Sequence, residues 1–211
     1  MERIGGISNP NIERIYALAP DAILIDRSPG SGAVASQSLG DLPTHSVIIR
    51  SVASSIDQLA ELAYELDYGD AAADLITQLR EAVDRGYEER ARHRLQRIIA
   101  FTWRDPWVAI GGDSYADDLL RLCGAENVAL RLAGRNPRAG LEAFMRPNPQ
   151  IILLAYGAYP FEPADVDSFW RFGDVDAVRS GQVALCDARW LQRYGPWMLM
   201  AIPGLMGLLH R

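Results

Sequence analysis

A chain of 211 residues, 49% of them apolar, can bury a real core, either as one large domain or as two small lobes. Its net charge of −6 and pI near 5.1 exclude a dedicated nucleic-acid binder, which needs a basic face to neutralise phosphates. All 21 basic residues are arginine, and the absence of lysine removes a Walker A loop, a pyridoxal-phosphate Schiff base and a lysine general base.

The opening Met1-Glu2-Arg3-Ile4-Gly5-Gly6 has no basic segment followed by an apolar run, so no signal peptide is expected in it and the chain reads as untargeted. From Asn9-Pro10, a turn leads into a short helix over 12–18, a stop at Pro20 and a buried strand, Ala22-Ile23-Leu24-Ile25. A helix over about 55–66 precedes a much longer one. From Asp70 to Ile98, apolar residues recur at helical spacing (Leu75, Ile76, Leu79, Val83, Tyr87, Leu95) opposite a polar face. Twenty-nine helical residues would reach roughly 44 Å, longer than a small lobe is wide. Arg85, Arg90, Arg92, Arg94 and Arg97 crowd its end, as a solvated face complementing the helix dipole or as a basic docking patch.

Strands at 98–103 and 107–110 follow, then Gly111-Gly112 and a helix capped near Asp113 or Ser114, with Asp117 as its capping partner and Gly124 as its stop. Leu141-Glu142, Pro149 and Ile151-Ile152-Leu153-Leu154 repeat the earlier Ile12-Glu13, Pro20 and 22–25 pattern, each element 129 positions on, and Asn136-Pro137 opens this second unit. Runs of consecutive aliphatics need cover on both faces, so each copy implies an α/β sandwich. A helix near 163–171, a strand at 182–186 and a helix over 197–209 complete the chain. That last apolar stretch holds Pro203 and Gly204 and falls short of the roughly 20 residues a membrane span needs. The fold class is therefore α/β, with two small sandwich lobes (1–69 and 99–211) joined by one long backbone helix (70–98).

Cys123 and Cys186 lie far apart and form no CxxC, and His45, His93 and His210 are scattered, so no protein-built metal site is expected. Gly112-Asp113-Ser114 after an apolar strand is the one catalytic motif to weigh, because GDS-type esterases place their nucleophile so. They also need a DxxH near the C-terminus, and here Gly207 stands three residues before His210, leaving Ser114 better read as a helix cap. Ligand contacts should come from loops at the C-terminal strand ends. These are Ser8, Asn9 and the 26–28 loop with Arg27 on the first lobe, and Trp103, Arg104, Tyr156, Tyr159 with Phe161, Arg193 and Tyr194 on the second. Aromatics there offer flat apolar area and arginines meet carboxylates bidentately, whereas Trp107, set among strand residues, reads as core.

The ordered set of Gly5-Gly6, Asn9 to Glu13, Pro20 to Leu24, the mid-chain helix, Trp107 to Gly111, Tyr115 to Asn127, Leu141-Glu142, Pro149 to Leu153 and Ala177 to Val183 resembles the class III periplasmic binding proteins. These helical-backbone metal receptors include vitamin B12-, haem- and ferric-siderophore-binding components of ABC importers. The resemblance spans essentially the whole chain. It implies a non-catalytic protein without cofactor that captures a chelated metal and, as a monomer, delivers it to an ABC permease dimer. It also implies that Glu13 and Glu142, one per lobe, dock on permease arginines; the plainer reading of both is a first-turn helix carboxylate favoured by the dipole. Members usually carry a signal peptide, a strand, a helix and a second strand ahead of the Gly-Gly segment. Met1 stands immediately before it here, so the N-lobe is expected to be incomplete. The location is periplasmic by resemblance and cytoplasmic if the start is genuine. A cytosolic interaction module derived from a binding protein is the remaining alternative.

Overall fold

The computed structural model describes residues 2–6, 9–28, 39–157 and 159–211. The chain begins with an antiparallel pair, β1 (Gly5–Gly6) and β2 (Asn9–Pro10), and helix α1 (Ile12–Leu18). Asn11 caps α1 by accepting the Arg14 N–H at 2.9 Å. Strands β3 (Ile23–Asp26) and β4 (Thr44–Val47) pair in parallel, and Ile15, Ile25 and Leu39 form a small core beneath them.

Two helices then carry the chain away. In α2 (Val52–Glu65), Ser51 and Ser54 make a reciprocal capping box, which starts the helix three residues before its apolar periodicity becomes visible. Helix α3 (Gly69–Arg90) is the long one, unbroken over 22 residues. It stops eight residues short of the expected 98. Residues 91–95 turn, with Ala91 and Leu95 exposed, and β5 (Gln96–Trp103) begins where its backbone pairs with neighbouring strands. Gln96-Arg97-Ile98 fits either period; sheet pairing decides it.

The remaining chain builds the larger lobe around β5. Its elements are β6 (Val108–Ala109), α4 (Tyr115–Leu122), β7 (Ala125–Asn127), α5 (Leu141–Met145), β8 (Ile151–Tyr156), α6 (Asp176–Arg179), β9 (Val183–Asp187), α7 (Ala188–Gln192) and α8 (Met198–Leu209). The predicted helix near 163–171 is a 3-10 helix, Pro163–Phe172. Strands β5, β8 and β9 run parallel, β7 joins β5 in parallel and β6 pairs with β5 antiparallel. Alternate residues of β5 and β8 enter opposite cores, as double-sided burial requires. Ile98, Ala100, Ile151 and Leu153 face α3, α4 and α8, while Ile99, Phe101, Ile152 and Leu154 face Trp107, Phe144 and Phe169. Trp107 is buried at 9% exposure, edge-on to Phe101 at 4.9 Å.

Strands 23–26 and 151–156 belong to separate sheets, so the repeated pattern does mark two sheet units. The repeat extends to the backbone: Ala19 (φ 44) and Asn148 (φ 53), each directly before its proline, both adopt the left-handed conformation. The small lobe is nevertheless not independent of the large one. Val47, Ile49, Val52 and Ile56 share one core with α3, α4 and α8. The Asp118 carboxylate accepts the Val52 N–H at 2.8 Å, fixing the start of α2 on α4.

Helix α3 comes close to its neighbours at Gly86, where an added Cβ would stand 3.3 Å from both the Ile202 Cγ2 and Leu122 Cδ1 atoms. Gly86→Leu should overpack this crossing and cost about 1–3 kcal/mol of stability, measurable by urea unfolding.

Candidate functional site

An open cleft of about 710 Å³ lies between the small lobe and the C-terminal strand ends of the large one. The small lobe contributes Gly5, Gly6, Pro10 and the end of β3 through Asp26 and Ser28; the large lobe contributes Thr102, Ile110, the start of α4, Arg135, Asn136, Gln192 and Tyr194. Such a position, outside the carboxyl ends of parallel strands, is where open α/β sheets take ligands.

The large-lobe wall depends on a glycine. A Cβ on Gly111 would fall 2.2 Å from the Gly134 carbonyl oxygen and 2.8 Å from Pro137, so only glycine allows the 134–137 loop to lie against the end of β6. The Gly111 N–H donates to the Arg135 carbonyl at 2.7 Å, and this contact brings Arg135 and Asn136 to the cleft. Asp113, held at φ 54, meets the Arg135 guanidinium at 2.9 Å. Ser114 then caps α4: its hydroxyl accepts the Asp117 N–H at 3.2 Å and donates to the Gly111 carbonyl at 3.2 Å.

Below the cap sits a buried polar pair. The Asn127 amide donates to the Asp117 carboxylate at 2.9 Å and to the Ile110 carbonyl at 3.0 Å, and its oxygen accepts the Ala129 N–H. Burial raises the Asp117 carboxyl above the usual range, and the Asn127 hydrogen bond opposes this.

Across the cleft, Tyr194 of the large lobe faces Asp26 and Ser28 of the small one. Burial first, then the Asp26 charge, raises the Tyr194 phenol, so it stays protonated at neutral pH. The Asp26 carboxylate accepts the Ser28 N–H at 2.8 Å, while the Ser28 hydroxyl accepts the Ile49 N–H at 2.7 Å. The Tyr194 ring stands edge-on to Tyr115, 4.9 Å between centroids. Tyr115 is 3% exposed and, among the described residues, its hydroxyl has no hydrogen-bond partner.

Of the residues expected from the sequence to contact ligand, Tyr194 lines the cleft and Ser8 lies outside the described residues. Asn9 and Arg27 are exposed beside the lining residues Pro10, Asp26 and Ser28. Trp103, Tyr156 and Tyr159 gather at the ends of β5 and β8: Trp103 meets Tyr159 edge-on at 5.5 Å, and Tyr156 bridges Tyr159 through the backbone. Phe161 is buried against Trp107. Arg104 is committed to Asp165 and lies over Trp107, and Arg193 lies 5.5 Å from the Trp197 ring centre. Cleft residues not singled out beforehand are Thr102, Ile110, Arg135, Asn136 and Gln192. Asn136-Pro137 and Gly111-Gly112 were visible as turns, but their mutual contact was not.

Ser114 acts as a cap, and each histidine is engaged away from it. His45 meets Glu65 at 2.6 Å, His93 meets Glu89 at 3.0 Å and stacks on His210, and His210 bonds to the Cys123 carbonyl. Both cysteine thiols are buried and pushed up to about 12. Among the described residues no cluster of three or more His, Cys, Asp or Glu could hold a metal. Glu13 and Glu142 are exposed in the first turns of α1 and α5, and Glu142 pairs with Arg171 at 2.9 Å.

Two unequal α/β lobes sharing a cleft, with a helical connection between their sheets, define a solute-binding architecture. The pattern of the periplasmic binding protein family matches residues 2–190, and the chain belongs to that family. The vitamin B12-binding protein of Yersinia pestis (strain Pestoides F) is 27% identical over 208 residues, which span 95% of this chain and 70% of the relative. The periplasmic vitamin B12 binding protein BtuF of Vibrio cholerae shares the fold with a TM-score of 0.82 at 21% identity, over 99% of this chain and 81% of that one. The periplasmic heme-binding protein BhuT, in complex with two hemes, does so with a TM-score of 0.84 at 20% identity, over 99% and 82%.

Two substitutions separate the polar groups that hold the site from the one that does not. Asn127→Ala removes three hydrogen bonds and strands the buried Asp117, so it should cost about 2–3 kcal/mol in urea unfolding. Tyr115→Phe removes a buried hydroxyl that has no described partner and should leave stability unchanged or raise it by up to about 1 kcal/mol.

Proposed function

We propose that this chain is the substrate-binding component of an ABC importer for a metal chelate, in the class of cobalamin, haem or a ferric siderophore. The observation that carries the reading is the cleft, which both lobes line and which mixes apolar walls with a few convergent polar groups. The matched family and the vitamin B12- and heme-binding relatives support it. In this reading the chelator holds the metal, the protein supplies no metal ligand and no catalytic group, and the chain acts as a monomer in the periplasm. Aromatic residues at the neighbouring strand ends, Trp103, Tyr156 and Tyr159, would extend the apolar contact area for a flat ligand, with Asn9, Arg27, Arg104 and Arg193 around the rim.

Delivery would use Glu13 and Glu142. Each is an exposed carboxylate on the first turn of a helix, one per lobe, and such a pair gives electrostatic register on a basic permease dimer. Isothermal titration with cyanocobalamin, haemin and ferric siderophores should show saturable binding of at least one; binding of none would refute the reading. Glu13→Ala combined with Glu142→Ala should abolish uptake while ligand affinity stays at the wild-type value. A loss of affinity would instead place these carboxylates in the cleft.

A further inference from the structure

Resting on the binding-protein reading, we infer that this cleft selects chelates of zero or positive net charge and discriminates against polyanionic ones such as ferric tris-catecholates.

Among the described lining residues, Asp26 and Arg135 alone carry a full charge, and they cancel. Arg135 is already satisfied in part by Asp113 at 2.9 Å, so the only guanidinium on the cleft wall is not an uncommitted anion clamp. Residues 7–8, 29–38 and 158 contain no Asp, Glu, Lys or Arg. Of the cations beside the wall, Arg104 is bound to Asp165, Arg193 lies against the Trp197 ring, and Arg27 and Arg193 are exposed at the rim, outside the lining.

On this wall a trianionic complex would shed its hydration against a single guanidinium, Arg135, already shared with Asp113, and desolvating charge without matching it is costly. It would also approach against a net charge of −6. An uncharged chelate meets neither cost. Its carbonyl and amide groups would find Thr102, Asn136, Gln192 and the protonated Tyr194 phenol, and Asp26 would favour an added positive charge.

The test is isothermal titration of the purified protein with three ferric complexes of differing charge. They are uncharged ferrichrome, cationic ferrioxamine B and trianionic ferric enterobactin, with cyanocobalamin as an uncharged chelate of different shape. At least one uncharged or cationic probe should bind about thirtyfold or more tightly than the trianion, and any residual trianion binding should strengthen as salt screens the repulsion. Asn136→Arg with Gln192→Arg, both exposed positions on the wall, should raise trianion affinity about tenfold or more. Asp26→Asn should remove any preference for ferrioxamine B over ferrichrome. Trianion affinity equal to or above that of the uncharged probes would overturn the inference while leaving the binding-protein reading intact. So would trianion affinity that falls with salt and is lost in Arg135→Gln. Binding of no chelate at all would overturn both.

Discussion

The demand that β5 and β8 make on their surroundings organises this molecule. Both strands carry aliphatic or aromatic side chains at successive positions, Ile98 to Phe101 and Ile151 to Ala155, all fully buried or nearly so. Alternation sends these side chains to both faces of the sheet, and leaving either face in water would forfeit about 25 cal/mol for each Å² of apolar surface. One face is closed by α5, the 3-10 helix Pro163–Phe172 and Trp107; the other is closed by α3, α4 and α8. The second cover is the consequential one. It draws α2 and the end of β4 into the same core and so fixes the small lobe to the large one.

From that attachment comes the cleft. The small lobe has only a minor core of its own around Ile15, Ile25 and Leu39, yet its β3 end is held opposite α4 through the Asp118 cap on α2. The opposing wall is set by the close approach at Gly111 and by the buried Asp117–Asn127 pair that ties down Ile110. A short set of polar contacts, each within one or two residues of the cavity, thereby fixes the relative placement of the walls. Large closing motions would have to break the shared apolar core, which makes a nearly preformed cleft the physical expectation.

The electrostatics of the cleft differ from those of its surroundings. Arginines are plentiful, and three near the strand ends are engaged by carboxylates, Arg104 with Asp165, Arg189 with Asp187 and Arg135 with Asp113, while Arg27 and Arg193 are exposed. Guanidinium groups paired within the chain serve packing and register more than anion capture. Counting arginines near a binding site would therefore overstate its affinity for anionic ligands.

Local periodicity and punctuation determined much from the sequence alone. The strand positions, the long helix, the Ser114 cap, the repeated helix–proline–strand unit and the α/β class all follow from spacing that depends on near neighbours; the cover on both faces expected of 22–25 did not follow, since Leu24 is 57% exposed while 151–155 is buried throughout. The end of α3 did not follow, because Gln96 to Ile98 suits a helix as well as a strand, and only pairing with β7 and β8 selects the latter. The cleft lining followed in part. Tyr194, Asp26 and Ser28 line the cavity and Arg27 does not, whereas Arg135 and Asn136 reach it through a contact with Gly111 across 24 residues of chain, and Arg104 is held by Asp165 across 61. Such partnerships arise between residues distant in sequence, where no local period records them, and only the folded chain decides which charges face a ligand and which are already spent.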